Sequence, residues 1–385
     1  MGADKMSDNR KYWIWLAQAI GAGARVDEIL SAFPDPREIY ESDANARIIS
    51  GVFTRRQLRK LEETEISYAE NVIELCRRNG WQIVTPADRA YPAGLRKLAD
   101  MPLVLYADGD ITCVRGKVMI GVVGTRRPCG ESISVARRIG FDLASAGAVI
   151  VSGGALGIDS AAHESAMNAG GKTVCVLGCG LGTDYLKDNE AMRRQISRNG
   201  ALVTEYPPFA AASKTTFPVR NRIISGMSHG VLVVEAGEKS GSLITAKRAV
   251  EQGREVFSIP GSVLTTAYSG ANSLIRDGAK AVTCAADILE SYAVMYPDRL
   301  NMAAIGRKMP EQEALKQMPR KKENPQGLDP DTAAVYNLFG EEPLHPDEIS
   351  AQTGMNPSKV ISALMQLEIM GLVKQGNGKN YTLAD

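Results

Sequence analysis

Val118-Met-Ile-Gly-Val-Val-Gly124-Thr125-Arg126-Arg127 is an apolar run of six residues that ends abruptly in Gly, Thr and two cations. A run this short and unbroken suits a strand covered on both faces, because a half-exposed strand would alternate apolar with polar residues. Five more runs of this kind follow: Ala148-Val-Ile-Val, Thr173-Val-Cys-Val-Leu, Ala201-Leu-Val, Val231-Leu-Val-Val and Glu255-Val-Phe-Ser-Ile. The stretches between them are long enough for helices, and strands joined by helices lie parallel. The expected fold is therefore α/β, a Rossmann-like doubly wound parallel sheet.

Outward from this core, residues 11 to about 65 show short apolar periods (Trp13, Leu16, Ile20; Ile29, Leu30, Phe33; Leu58, Leu61) broken at Gly21, Gly23, Pro34 and Pro36. They predict an N-terminal helical module over 1–65, of the SAM or HhH-like kind. Short strands near Trp81–Thr85 and Leu103–Tyr106 lead into the Rossmann-like domain, set at 66–290. Residues 291–328 combine Pro310, Pro319 and Pro325 with Arg320, Lys321 and Lys322 and show no period, which predicts a linker. Over 329–385, three helical segments (332–339, 346–353 and 357–370) precede two strands around Gly376-Asn377-Gly378, the pattern of a C-terminal winged-helix domain.

The 385 residues are 44% apolar and 23% charged, ordinary for a globular chain of roughly two to four domains. The net charge of +1 hides a regional split. Residues 115–290 hold 20 basic against 15 acidic side chains, whereas 329–385 hold 3 against 8. An acidic winged helix with only Lys359 on its third helix repels phosphate, so a protein-contact or structural role is expected there. The polar start of the chain lacks a signal-peptide core, and Met6 stands where a myristoylation signal needs Ser or Thr. No long apolar span occurs, so a cytoplasmic protein without membrane insertion is expected. Six scattered cysteines suit reduced thiols, and Cys175 and Cys179 lack the second pair a zinc site needs. Neither metal nor cofactor is expected.

In such a sheet, ligands collect beyond the carboxyl ends of the strands. The loops there are rich in Gly: Gly124-Thr-Arg126-Arg127, Ser152-Gly153-Gly154-Ala-Leu-Gly157-Ile-Asp159, Gly178-Cys-Gly180-Leu-Gly182 and Glu235-Ala-Gly237-Glu-Lys-Ser240-Gly241-Ser242. The third fails dinucleotide spacing. Lys214-Thr-Thr-Phe217-Pro-Val-Arg220-Asn221-Arg222 adds three cations and a ring within nine residues, a combination suited to single-stranded nucleic acid. Lys214 pairs with phosphate, Phe217 stacks on a base, and Asn221 bonds a base edge or holds the loop. The competing expectation is that Arg220 and Arg222 pair with Glu205 or Glu235 and brace the helix. An Asp159/His163 pair at i, i+4 would suit acid–base work, but a packing His is commoner.

Gly-Thr125-Arg126, Ser152-Gly-Gly-Ala-x-Gly-Ile-Asp159, Thr204-Glu-Tyr-Pro207, Phe217-Pro-x-Arg220-Asn-Arg-Ile-Ile224, Ser240-Gly-Ser-Leu-Ile-Thr245 and Phe257-Ser-Ile-Pro260-Gly261, in this order, closely resemble the bacterial DNA processing protein A family, DprA/Smf. The resemblance spans about 80 to 290. It implies a non-enzymatic recombination mediator that binds and protects incoming single-stranded DNA in natural transformation, loads a RecA-type recombinase and forms a homodimer. It also implies a DNA site at Arg126, Ser152, Gly153, Gly154, Lys214, Phe217, Arg220, Asn221, Arg222, Ser240, Gly241 and Ser242. Tyr185-Leu186, where family members often carry Tyr-Pro, and the lack of an aromatic residue near Cys129 depart from the pattern. The alternative is a Rossmann-like nucleotide-binding or nucleotide-hydrolysing enzyme. Such enzymes resemble one another in a Pro-Gly-Gly-x-Gly-Thr loop, where this chain reads Glu235-Ala-Gly237-Glu-Lys-Ser-Gly241-Ser.

Overall fold

The computed structural model describes residues 2–184, 189–309, 328–339, 344–376 and 380–383, with side chains from Asn9 to Thr382. They form two compact units, 1–310 and 311–385.

Nine strands form the sheet of the first unit: β1 (Gln82–Val84), β2 (Leu105–Gly109), β3 (Met119–Val123), β4 (Val149–Ser152), β5 (Thr173–Val176), β6 (Ala201–Thr204), β7 (Gly230–Val233), β8 (Glu255–Ser258) and β9 (Lys280–Ala281). Their order is β1-β2-β6-β5-β4-β3-β7-β8-β9. From β6 to β9 every pairing is parallel, as the buried apolar runs predict. β2 joins β6 antiparallel and β1 joins β2 antiparallel, so two short strands close one edge.

Pleat alternation sends Met119 and Val123 to one face of the sheet and Ile120 and Val122 to the other. The first face packs on α10 (Thr216–Met227) and α11 (Ser242–Glu251) through Ile223, Ile224, Ala246 and Ala249. The second packs on α7 (Gly130–Ser145), α8 (Ile158–Asn168) and α13 (Ala285–Met295) through Ile139, Leu143, Ala162, Ile288 and Leu289. α9 (Glu190–Asn199) and α12 (Ser269–Arg276) complete the layers.

The front helices are α1 (Gly2–Ile20), α2 (Asp27–Ala32), α3 (Pro36–Glu41), α4 (Ala44–Ile49), α5 (Arg55–Glu63) and α6 (Ile66–Arg78). They continue past residue 65, because Ala69, Val72 and Cys76 of α6 share a core with Trp13, Trp15 and Leu16 of α1. β2 joins that core to the sheet. Its Leu105 and Ala107 face the sheet core while Tyr106, with Val104 just before the strand, faces the helices, which ties both into one unit.

The stretch expected as linker also divides. Residues 291–309 are packed: α13 runs to Met295, Asn301 N–H donates to the Ala146 carbonyl (2.9 Å), and Gly306 N–H donates to Asp142 Oδ1 (3.1 Å). The apolar spacing of Ile288, Leu289 and Tyr292 carries the helix through, which a boundary drawn at 290 cuts in half. Residues 310–327, with Arg320, Lys321 and Lys322, lie outside the described residues, as do Tyr185 and Leu186.

The second unit has α14 (Pro330–Leu338), α15 (Pro346–Thr353), α16 (Pro357–Ile369) and the antiparallel pair β10 (Val373–Gln375) and β11 (Tyr381–Leu383). Each helix starts with Pro behind a capping side chain, Asp329, His345 or Asn356. Gly354 ends α15 at φ +70°, a left-handed position that a side chain would strain.

Candidate nucleic-acid interface

β3 lies between β4 and β7, and the chain leaves it towards one neighbour early and returns to the other late. This is the topological switch point, where the connections diverge and leave a crevice. A cleft of about 410 Å³ opens there, walled by Thr125, Arg126, Arg127, Asp159, Phe217, Arg220, Asn221, Ser240, Gly241 and Ser242.

Backbone contacts set the first wall. Thr125 N–H donates to the Glu235 carbonyl (2.9 Å), and Ile158 N–H donates to the Thr125 carbonyl (3.3 Å). Gly157 has φ +83°, and a Cβ there would lie 2.6 Å from that same Thr125 oxygen. The close approach of the two loops therefore needs Gly, and it fixes the turn from which Arg126 and Arg127 project, both exposed. The Glu235 carboxylate accepts from Cys129 N–H (3.1 Å) at the start of α7.

The second wall is the first two turns of α10. Phe217 is half-buried, with the Arg126 guanidinium 5.4 Å and the Arg220 guanidinium 5.9 Å from its ring centre. Both distances allow cation–π attraction. Arg220, only 5% exposed, forms the floor. Its Nη1 donates to the Gly153 carbonyl (2.9 Å) and to the Val176 carbonyl, and its Nε donates to Asn221 Oδ1 (3.2 Å). A Cβ on Gly153 would meet the guanidinium at 2.7 Å, so Gly153 makes room for the charge.

Asp159 sits beside this floor and accepts from the N–H groups of Gly153 (3.1 Å) and Ala155 (3.3 Å). Burial pushes the Asp159 carboxyl upward and Arg220 pulls it back down. Burial likewise lowers Arg220 while Asp159 supports its charge. Each group is tolerated in the interior because of the other. The third wall is the start of α11, where the Ser240 and Ser242 hydroxyls are 2.7 Å apart and Asn221 Nδ2 donates to the Gly241 carbonyl (3.4 Å).

Not every expected residue arrives. Arg222 is 2% exposed and turned away from the cleft. It makes a two-bond pair with Glu205 (3.0 and 2.7 Å) and lies 3.4 Å from Asp100, so it braces α10 and is corrected from ligand contact to structural ion pair. The helical turn between Arg220 and Arg222 makes them face differently, which adjacency in sequence conceals.

Ser152 is also corrected. It is fully buried, and its hydroxyl donates to the Val122 carbonyl (2.6 Å). Gly154, at φ +67°, is buried and shapes the turn, its carbonyl accepting from Asn189 Nδ2 (3.0 Å). Lys214 is exposed in the loop before α10, outside the cleft walls, and no carboxylate among the described residues pairs with it. Thr125, Asp159 and the exposed Ile244 line the cleft without having been singled out as ligand contacts. Their signal was positional, each within four residues of a Gly-rich turn.

His163 is a core residue: its Nδ1 lies 2.7 Å from Thr173 Oγ1, and burial lowers its pKa to about 3. Cys175 is buried too, its thiol pushed up to about 12 by burial. Among the described residues no group of His, Cys, Asp and Glu could hold a metal ion.

A doubly wound sheet with a buried cation under a half-exposed ring and a rim of arginines defines an α/β protein with an arginine-lined cleft at its switch point. The family model "DNA recombination-mediator protein A" matches residues 82–293, and the DprA winged-helix model matches 319–379. The chain belongs to the DprA/Smf family. Protein Smf of Synechocystis is 32% identical over 97% of this chain and 99% of its own length. The solved structure of DNA processing protein A from Streptococcus pneumoniae aligns at a TM-score of 0.63 and 32% identity, covering 73% of this chain and 97% of that one. DNA processing protein A from Helicobacter pylori, described for its single-stranded DNA binding mode, aligns at a TM-score of 0.51 and 30% identity, covering 56% and 97%.

The buried imidazole has a measurable consequence. Its folded pKa is depressed from 6.5 to about 3, so between those values the unfolded chain binds a proton that the folded chain refuses. That contribution to stability is lost as pH falls through 6.5, at about 1.4 kcal/mol per unit. Urea unfolding of wild type and His163→Gln from pH 7 to 4 should show the variant gaining on wild type as pH falls. A difference independent of pH would show that His163 ionises alike in both states.

Proposed function

We propose that the switch-point cleft binds single-stranded DNA without sequence preference, and that the protein works as a recombination mediator. The observation that carries this reading is the half-buried Phe217 ring with the Arg126 and Arg220 guanidinium groups 5.4 and 5.9 Å from its centre, at the mouth of a cleft whose rim adds Arg127. A flexible strand can lay one base against the ring, worth roughly 1–3 kcal/mol, while its phosphates meet Arg126, Arg127 and Lys214. A duplex would keep its bases stacked and out of reach of the ring. The single-stranded DNA binding mode named for the H. pylori relative agrees with this.

Within the cell the protein would shield incoming strands in natural transformation and pass them to a RecA-type recombinase in the cytoplasm. All six cysteines are free thiols, and no described helix is long and apolar enough to cross a membrane. The winged helix serves contact with protein: Lys359, the one cation of α16, pairs with Asp331 (3.0 Å), while Ile361, Met365 and Ile369 stand exposed along it. The protein would act without catalysis, since the Pro-Gly-Gly-x-Gly-Thr loop shared by the nucleotide-hydrolysing enzymes is replaced here by Glu235-Ala-Gly237-Glu-Lys-Ser-Gly241-Ser.

The protein would pair as a homodimer through the sheet unit, a reading supported by Val263 and Leu264, 87% and 95% exposed side by side after β8. Sedimentation should find a dimer that Leu264→Arg turns into a folded monomer; a wild-type monomer at micromolar concentration removes the dimer.

Binding of oligo-dT should weaken as salt rises. Arg126→Ala with Lys214→Ala should lower the log–log slope by about 1.4, that is about 0.7 for each phosphate no longer neutralised. Phe217→Ala should cost roughly 1–3 kcal/mol and leave the slope alone, because stacking releases no counterions. The same double variant should fail to shorten the lag in strand-stimulated ATP hydrolysis by a RecA-type recombinase. A folded double variant with wild-type affinity and slope would end the proposal.

A further inference from the structure

The parallel strands also have an amino end, and a second cavity, of about 310 Å³, opens there between the Tyr91–Gly94 turn, the start of β3 and the end of α10. Its wall carries Arg89, Arg96, Arg115, Lys117, Arg254 and Arg299, and no Asp or Glu. Elsewhere the surface neutralises its cations: Arg77 and Arg78 share Glu74, Arg37 pairs with Glu41, and Arg248 with Glu251. Among the described residues none of these six has a carboxylate within 4.0 Å.

Two of the six are held by main-chain hydrogen bonds. Arg254 Nη2 donates to the carbonyls of Gly94 (3.3 Å) and Gly226 (3.2 Å), while its buried Nε has no partner. Arg96 donates to the carbonyls of Pro86 (2.9 Å) and Asp88 (2.6 Å). Arg115 and Lys117 flank Gly116, whose φ of +67° turns the chain sharply, and both side chains are exposed. His229 lines the same wall. Its Nδ1 accepts from Met119 N–H (3.1 Å), which leaves the ring proton on Nε2. Like charges crowded into a concave wall raise one another's energy, and a bound anion relieves this and releases counterions.

The shape selects the anion. At Arg89 and Ala90 the cavity adjoins a groove of about 540 Å³ that contains Trp81, half-buried, and in which Arg10 pairs with Asp88 (3.1 Å) and Arg77 with Glu74 (2.8 Å). A trough walled by unpaired cations that opens at one end onto a groove with a ring suits an extended polynucleotide better than a compact ion. It is also apart from the switch-point cleft, because four residue steps of β3 separate the two ends by roughly 13 Å before the loops are counted.

We propose that this trough is a second binding site for the sugar–phosphate backbone of single-stranded nucleic acid. The identity of the ligand rests on the function proposed above; the site itself uses none of the cleft residues.

The chain has three histidines, so the His229 ring resonances are a local reporter in the full-length protein. A 40-nucleotide oligo-dT should shift them in wild type, and also in Arg126→Ala/Lys214→Ala, whose cleft is disabled. Arg115→Glu/Lys117→Glu, two exposed positions without ion pairs, should lose the shift. Its log–log salt slope should fall by at least about 1.4, with the circular dichroism spectrum unchanged.

An unmoved His229 together with an unchanged slope overturns the trough and leaves the cleft reading standing. A trough response in wild type with no effect of the cleft variant on binding sinks the cleft reading instead. Inorganic tripolyphosphate is the free-phosphate arm. If it saturates the His229 shift and oligo-dT cannot displace it, the trough is a small-anion site and the proposal fails.

Discussion

The guanidinium of Arg220 lies under the carboxyl ends of β4 and β5, held by the Gly153 and Val176 carbonyls and faced by Asp159. A charge that deep is stable only if its hydrogen bonds are made and a counter-charge is close. The loops obey that requirement. Gly153 gives up its side chain to admit the guanidinium, and Asp159 stays at the start of α8, where its oxygen also ties down Gly153 and Ala155. α10 must begin where it does, which brings Phe217 over the floor and within reach of Arg126. The cleft is thus built around a cation that is fixed in place, and the exposed cations are left to the rim.

The parallel sheet was legible because buried strands need unbroken apolar runs, and each run coincides with a strand to within a residue or two. The antiparallel edge was not, since pairing direction depends on how β1 and β2 return to the sheet and leaves no mark in three to five residues. The site was half legible. Gly-rich turns and the segment around Phe217 pointed to the right end of the sheet, yet Arg222 and Ser152 share those motifs while facing inward. A motif gives the neighbourhood, and helical phase and strand pleat decide which side chains reach it. The trough at the other end had no linear signal at all, because its six cations come from stretches centred near residues 92, 116, 254 and 299.

Charge divides the work between the two units. The sheet unit carries cationic concavities at both ends of its strands, whereas the winged helix pairs away the cation of its third helix and exposes an apolar stripe in its place. A helix built to read DNA would show the reverse, with cations and polar side chains outward.

The most direct test of the central claim is where a single strand touches the protein. Oligo-dT carrying 5-iododeoxyuridine, cross-linked by light to the full chain and mapped by mass spectrometry, should give adducts in 214–222, above all at Phe217. Adducts confined to 329–385 would contradict the account, for they would put the strand on the winged helix and leave the ring and its arginines without a ligand.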